Sequence, residues 1–330
     1  MTTGQNIKAS DYNAIRAKVE QILDTGGTAG DIRGYGQRLL SAAVNSETDI
    51  ITKDQWEALR RDILNIKIHQ ENPVDSNGNT ILPFVIPIPV DEPIRFGSSH
   101  PNTNFNNLID QASVTSLQIA EGRSVVSSAA GSPVFRTLPW TTKVACEVTV
   151  NFEGFTRADG YVATPLNHAR FFFNSGGRIR ISSNRAGGSP TPQNNSWTAL
   201  LVQAAIRDLA AKEPSTVNFY SLTDTYQTLY ELSSSVPYAA NSYLIEVKGD
   251  NFDPATLIPS TVIFKITWTD AYVDSFPSAP PPDLVDGTLS LFIEESKATG
   301  PVFNSITTAL PFGVWVLPSP TYSITDIVDA

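Results

Sequence analysis

The sequence predicts a mainly β protein: a β-sandwich or jelly-roll-like body with an inserted helix, preceded by a small N-terminal α-helical hairpin. Three observations predict it. Apolar residues recur at helical spacing only near the N-terminus and around residue 200. Beyond about residue 113, period-two alternation dominates. The strand signals do not alternate regularly with helices, as a parallel α/β fold would require. With 330 residues the chain is long enough for more than one core.

The first helix reads from Ser10, placed to cap it, through Tyr12, Ile15, Val19 and Ile22, spaced three, four and three apart; Gly26-Gly27 ends it. The second opens with Thr52-Lys53-Asp54-Gln55, a capping-box pattern, and repeats the spacing with Trp56, Leu59, Ile63 and Ile66. Each helix has one apolar stripe. The two stripes can bury each other as a hairpin, and each is also narrow enough for a coiled-coil-like seam between subunits. Residues 1–72 are therefore expected to form a helical docking or oligomerisation module.

Pro73 to Asn79 reads as a turn-rich linker, followed by a Pro-interrupted extended run to Val90. Strands are expected at Ser113–Ala120, Lys143–Phe152, Ala169–Ser182, Thr216–Ser221, Tyr243–Lys248, Ser260–Asp270 and Thr288–Glu294. Within Ala169–Ser182, Asn174 to Gly177 reads as a hairpin turn, with Arg178 and Arg180 on one face and Ile179 and Ile181 on the other. A helix capped by Ser196 is expected over Trp197–Lys212, with Pro214 after its end. These elements assign residues 73–282 to β-rich structure with a helix near 196–212. Phe276 to Pro282 reads as a stiff connector, leaving 283–330 as an acidic C-terminal segment.

Charged residues make up 17% of the chain, below the roughly 25% of an ordinary soluble protein. Low charge with high polarity suits domains that bury surface against neighbours. The net charge of -10 offers no electrostatic footprint for nucleic acid, so no direct nucleic-acid binding is expected. The N-terminus has neither a basic nor an apolar leader region, and no apolar run approaches a membrane span. Cytoplasmic synthesis without membrane insertion is the expectation.

No local catalytic signature is present. The single cysteine, Cys146, shares a strand face with Val144, Val148 and Val150 and reads as a buried apolar residue. His69, His100 and His168 stand apart, without a second ligand at metal spacing. Asp75 to Asn79 departs from a calcium loop and reads as a turn. Glu294 and Glu295 are adjacent and point to opposite faces of a strand, so they are no carboxylate pair. A polysaccharide depolymerase built from carboxylates distant in sequence would leave no such signature. No catalytic residue, cofactor or metal is expected. Arg170, Arg178, Arg180 and Arg185 form the basic cluster of an acidic chain, a candidate contact for an acidic neighbour or an anionic glycan. Five tryptophans, of which Trp56 and Trp268 sit in apolar patterns, include candidates for a sugar-stacking platform.

Two segments carry a resemblance. Ala9-Ser10-Asp11-Tyr12-Asn13 with Gly34-Tyr35-Gly36-Gln37 and Trp56 resembles the opening module of virion structural proteins from cyanophages and other aquatic tailed bacteriophages. Phe172-Phe173-Asn174-Ser175-Gly176-Gly177-Arg178-Ile179-Arg180, continuing through Gly187-Gly188, Gln193-Asn194, Trp197 and Leu200-Leu201, is similar to a stretch of the same kind of protein. The resemblance implies a non-enzymatic virion component, assembled in the host cytoplasm, a homo-oligomer whose partners are other virion proteins. Tail, neck, baseplate or short fibre is the expected place; a capsid decoration protein and a module recognising host surface glycan are the alternatives.

Overall fold

The computed structural model describes residues 9–26, 33–44, 51–71, 124–129, 133–157, 159–211, 217–272, 284–298 and 317–329. Two helices, α1 (Ala9–Leu23) and α2 (Lys53–Glu71), open the chain. The strands follow as β1 (Ser124–Ser128), β2 (Val134–Arg136), β3 (Lys143–Asn151), β4 (Phe155–Thr156) and β5 (Val162–Ala163). Helix α3 (Pro165–Asn174), β6 (Arg178–Ala186), helix α4 (Pro192–Ala204) and β7 (Arg207–Leu209) come next. The chain continues with β8 (Gln227–Ser233), β9 (Ser242–Phe252), β10 (Pro259–Thr269), β11 (Thr288–Ala298) and β12 (Thr321–Asp329). The protein is mainly β.

Two antiparallel sheets build the body. One runs β12-β3-β10-β9-β8, and the other β1-β11-β6-β7, with β2 also on β11. Strand alternation creates the core between them. In the first sheet Val150, Val148, Cys146 and Val144 stand directly opposite Val262, Phe264, Ile266 and Trp268, and all eight are at most 3% exposed. In the second, Ile179, Ile181, Leu289, Leu291 and Ile293 face inward into the same cluster, which Trp197, Leu200 and Leu201 of α4 and Phe171 to Phe173 of α3 complete. Burial pushes the Cys146 thiol up to about 12 and keeps it protonated, as suits a packing residue.

The two sheets are also bridged along their sides. The guanidinium of Arg207 on β7 lies 3.6 Å over the ring of Tyr230 on β8. On the opposite side the buried Glu295 of β11 accepts from Ser319 Oγ at 2.5 Å and Tyr322 Oη at 3.2 Å, and Lys297 Nζ lies 3.2 Å away. β1 and β2 lie end to end along one edge of β11, with Ser128 opposite Glu294 and Val134 opposite Leu291. β8 and β12, the outer strands of the first sheet, each carry a register shift, between Thr228 and Tyr230 and between Thr325 and Val328.

Several expectations need correction. Ala169 to Asn174 is helix, not the first arm of a hairpin: Thr164 accepts a hydrogen bond from Asn167 N, and Pro165 opens the first turn. The strand expected over Ala169–Ser182 therefore begins only at Arg178. Helix α4 starts earlier than expected, capped by Thr191 with Pro192 behind it, and Ser196 lies inside it. It ends at Ala204, and Leu209, within the range expected to be helical, lies on β7. The strand expected at Thr216–Ser221 gives a single 3-10 turn at Phe219–Ser221. Residues 283–330, set apart by charge, supply β11 at the centre of one sheet and β12 at the edge of the other. Ser113–Ala120, the run from Pro73 to Val90 and Phe276–Pro282 lie outside the described residues.

The N-terminal helices form a head with its own small core. Tyr12, Ile15, Val19, Ile22, Trp56, Leu59, Ile63 and Ile66 are all at most 4% exposed, and the Tyr12 and Trp56 rings meet edge to face at 5.2 Å. The capping box of α2 is present, Thr52 N donating to Gln55 Oε1 and Gln55 N to Thr52 Oγ1. α1 begins at Ala9, one residue before the expected cap. Asp62, fully buried on α2, accepts from Leu40 N at 3.0 Å, from Ser41 N at 2.9 Å and from Ser41 Oγ at 2.7 Å, fixing the chain between the helices.

Burial pushes the Asp62 carboxyl up to about 6, against the pull of those donors. The folded head thus holds a proton that the unfolded chain gives up near 4. Its stability is expected to rise as pH falls from 7 through 6 toward 4. Hydrogen exchange of the α2 amides at pH 5 and 7 should show this rise, and Asp62→Asn should abolish it.

Candidate functional site

The two sequence segments singled out for their resemblance meet in space, and their contact joins the head to the body. Gly34-Tyr35-Gly36-Gln37 folds back on the end of α1: Tyr35 N donates to Ile22 O, Gly36 N to Asp24 O and Gln37 N to Leu23 O. These bonds satisfy carbonyls that a helix C-terminus leaves without partners. Gly36 has φ +71°, in the left-handed region, and a β-carbon there would sit 2.4 Å from Cδ2 of Phe171. The Phe171 ring on α3 rests against a backbone that only glycine leaves open.

Polar groups of the body surround this contact. Arg157, in the turn between β4 and β5, donates to Asp24 Oδ1 at 2.8 Å and to Gly36 O at 2.7 Å. Its other nitrogens engage Asp159 at 2.9 Å, so one guanidinium binds two carboxylates and a carbonyl. Arg170 on α3, 8% exposed, donates to Thr25 O at 2.7 Å and to Asn167 Oδ1 at 3.2 Å. Asn174, at the C-terminal end of α3 and fully buried, donates to Gly34 O at 3.0 Å and accepts from the Tyr220 hydroxyl. Burial raises the Asp24 carboxyl above its ordinary range, with the Arg157 hydrogen bond opposing it. Both arginines aim at the carbonyl end of α1, where a helix carries partial negative charge.

Arg170, Arg178, Arg180 and Arg185 do not form one open basic cluster. Arg170 belongs to the joint. Arg178 and Arg180 share a face of β6, as expected, and both pair with Asp208 on β7 at 3.3 Å. Arg185 points to the interior, donating to Asn194 O and Thr198 Oγ1 of α4 and lying 3.4 Å from Asp286. Asp286 in turn takes Ser189 N and Oγ and Asn194 Nδ2, which hold its carboxyl below the ordinary range. The helical stripe is likewise occupied within the chain, so of the two packings it allowed the structure takes the hairpin.

Trp56, Trp140, Trp197 and Trp268 are at most 5% exposed, so none of these four offers a stacking face to solvent. Trp315, His69 and His100 have no described side-chain surroundings. Among the described residues no group of three or more His, Cys, Asp or Glu lies together to hold a metal ion, and no helix is long and apolar enough to cross a membrane. No family model, no curated protein and no solved structure matches the chain.

Arg157 and Asp24 had no signal in the sequence, since neither stands in a charge pattern or a motif. Removing Arg157 strands a carboxylate and a carbonyl, a loss that in buried pairs costs about 3 kcal/mol. Arg157→Ala and Gly36→Ala are each expected to undock the head. Small-angle scattering should then show a larger radius of gyration, with the near-ultraviolet signal of the tryptophan-containing body retained.

Proposed function

We propose that the chain is a structural component of a tailed-bacteriophage virion, a neck-, tail- or baseplate-associated protein or short fibre acting through protein–protein assembly. The observation that carries this reading is the joint. The two segments that resemble virion proteins are far apart in sequence, yet they meet in space, with Asn174 bonded to Gly34 and Phe171, the residue just before the second segment, laid on Gly36. A motif pair that folds together is a single building device, and the groups that meet there, carbonyls, a carboxylate and guanidinium groups, hold one part of the chain against another.

Composition supports the same reading. Low charge, one cysteine and a body of two sheets around one core suit a multicopy part that must be rigid and self-contained. The homo-oligomer proposed here would use surfaces other than the helical stripe, because that stripe is filled in each copy. A two-part block, with a head fixed to a β body, gives a particle one end to build from and another to present.

Immunogold labelling of intact particles is the direct test. Antibodies against the body are expected to label the neck, tail or baseplate at a fixed place. Signal found in infected-cell lysate and never on particles would sink the proposal. Deletion of residues 1–72 is expected to abolish incorporation, and unchanged incorporation would remove the head from the assembly role.

A further inference from the structure

His168 lies on α3 and is 1% exposed, its ring set roughly perpendicular to those of Phe152 and Phe155 with centroids 5.2 Å apart in each pair. Its Nδ1 stands 2.7 Å from the carbonyl oxygen of Glu153, and its Nε2 stands 2.9 Å from that of Pro318. Both neighbours are acceptors only. A neutral imidazole has a single N–H, so it can serve one carbonyl while its bare nitrogen faces the other; an imidazolium donates to both. The two carbonyls belong to different parts of the chain. Glu153 follows β3 within the body, whereas Pro318 leads into β12.

We infer that His168 is a proton-operated clasp on the C-terminal strand, holding the Pro318 carbonyl and the Glu153 carbonyl together only when its ring carries two protons. The charged groups around it are known. Glu295 on β11 favours the cation and Lys297 on the same strand opposes it. Tyr322 of β12 donates its hydroxyl to Glu295, and the Glu153 carboxylate turns away toward Thr321 Oγ1 at 3.3 Å. Burial lowers the ring's pKa below the ordinary 6.5, and the two carbonyls pull it back up. The ring is therefore neutral at pH 7 and fastens one carbonyl; the second contact closes below 6.5.

Two opposite trends follow. The unfolded chain takes up a proton near 6.5 and the folded ring only at lower pH. Overall stability therefore falls as pH drops from 6.5 to the depressed value, and this contribution then levels off. Over the lower part of that window the start of β12 becomes more firmly held against local openings that leave the ring in its place between Phe152 and Phe155, because a hydrogen bond from a charged donor has been added. A histidine that merely fills space would show the first trend without the second.

The test uses the full chain with 15N-labelled histidine, whose three ring systems are assigned from His168→Gln or, if that variant does not fold, by elimination with His69→Gln and His100→Gln. The expected result is one ring N–H at pH 7.5 and two after titration below 6.5. Amide exchange of residues 321–325, corrected for its intrinsic pH dependence, should slow about tenfold across the same titration. His168→Gln, where it folds, should lack the slowing. A ring that stays neutral until the protein unfolds, a ring already doubly protonated at pH 7.5, or β12 protection that is flat or falling through the titration would each overturn the inference.

Discussion

A phenyl ring can lie against a peptide only where no β-carbon stands between them, and the placement of the head depends on that contact. Phe171 over Gly36 sets the distance, and everything else at the joint is directional. Arg157, Arg170 and Asn174 reach across to Gly36, Thr25 and Gly34, all main-chain carbonyls. Carbonyls are fixed by the backbone, so apart from the Asp24 carboxylate that also takes Arg157 the grip depends little on side-chain rotamers in the head. The joint resembles an interface between domains more than a shared core, since the body's core cluster contains none of the head's buried residues. It specifies orientation through a few strong contacts where a continuous core would do so through area.

The long strands were legible because their alternation is physically obligatory when one face is buried. β3, β9, β10 and β11 fall where the pattern put them, and Val262 to Trp268 stand opposite Val150 to Val144 in register. The helical head was legible for the same reason at period 3.6. The three phenylalanines at 171 to 173 defeated pattern reading: buried all round, they show no period, and a run of apolar residues fits a strand as well as a helix. Thr164-Pro165 and Thr191-Pro192 were the available signals, each a capping residue followed by a proline at the first turn. β2, β4, β5 and β7 are two or three residues long, too short to carry a period at all.

The arginines show a different limit. Their clustering in sequence suggested a surface for an anion, yet the structure divides them among three duties within the chain. Arg170 anchors the head, Arg178 and Arg180 share Asp208, and Arg185 ties α4 to the loop before β11. Sequence proximity reports which residues a strand carries and says nothing of the partners that come from β7 or from residue 286. The joint shows the converse: its two halves stood out in the sequence, but their contact spans 140 residues between Gly34 and Asn174. No local pattern encodes a contact of that span.

The irregular outer strands of the first sheet have a consequence for how identical chains can meet. An intact outer strand exposes a row of free amides and carbonyls that the same strand of a neighbouring molecule can pair with. β8 is interrupted between Thr228 and Tyr230, and β12 between Thr325 and Val328, so neither side offers an uninterrupted ladder to an identical chain. At high local concentration such a molecule resists open-ended stacking through this sheet.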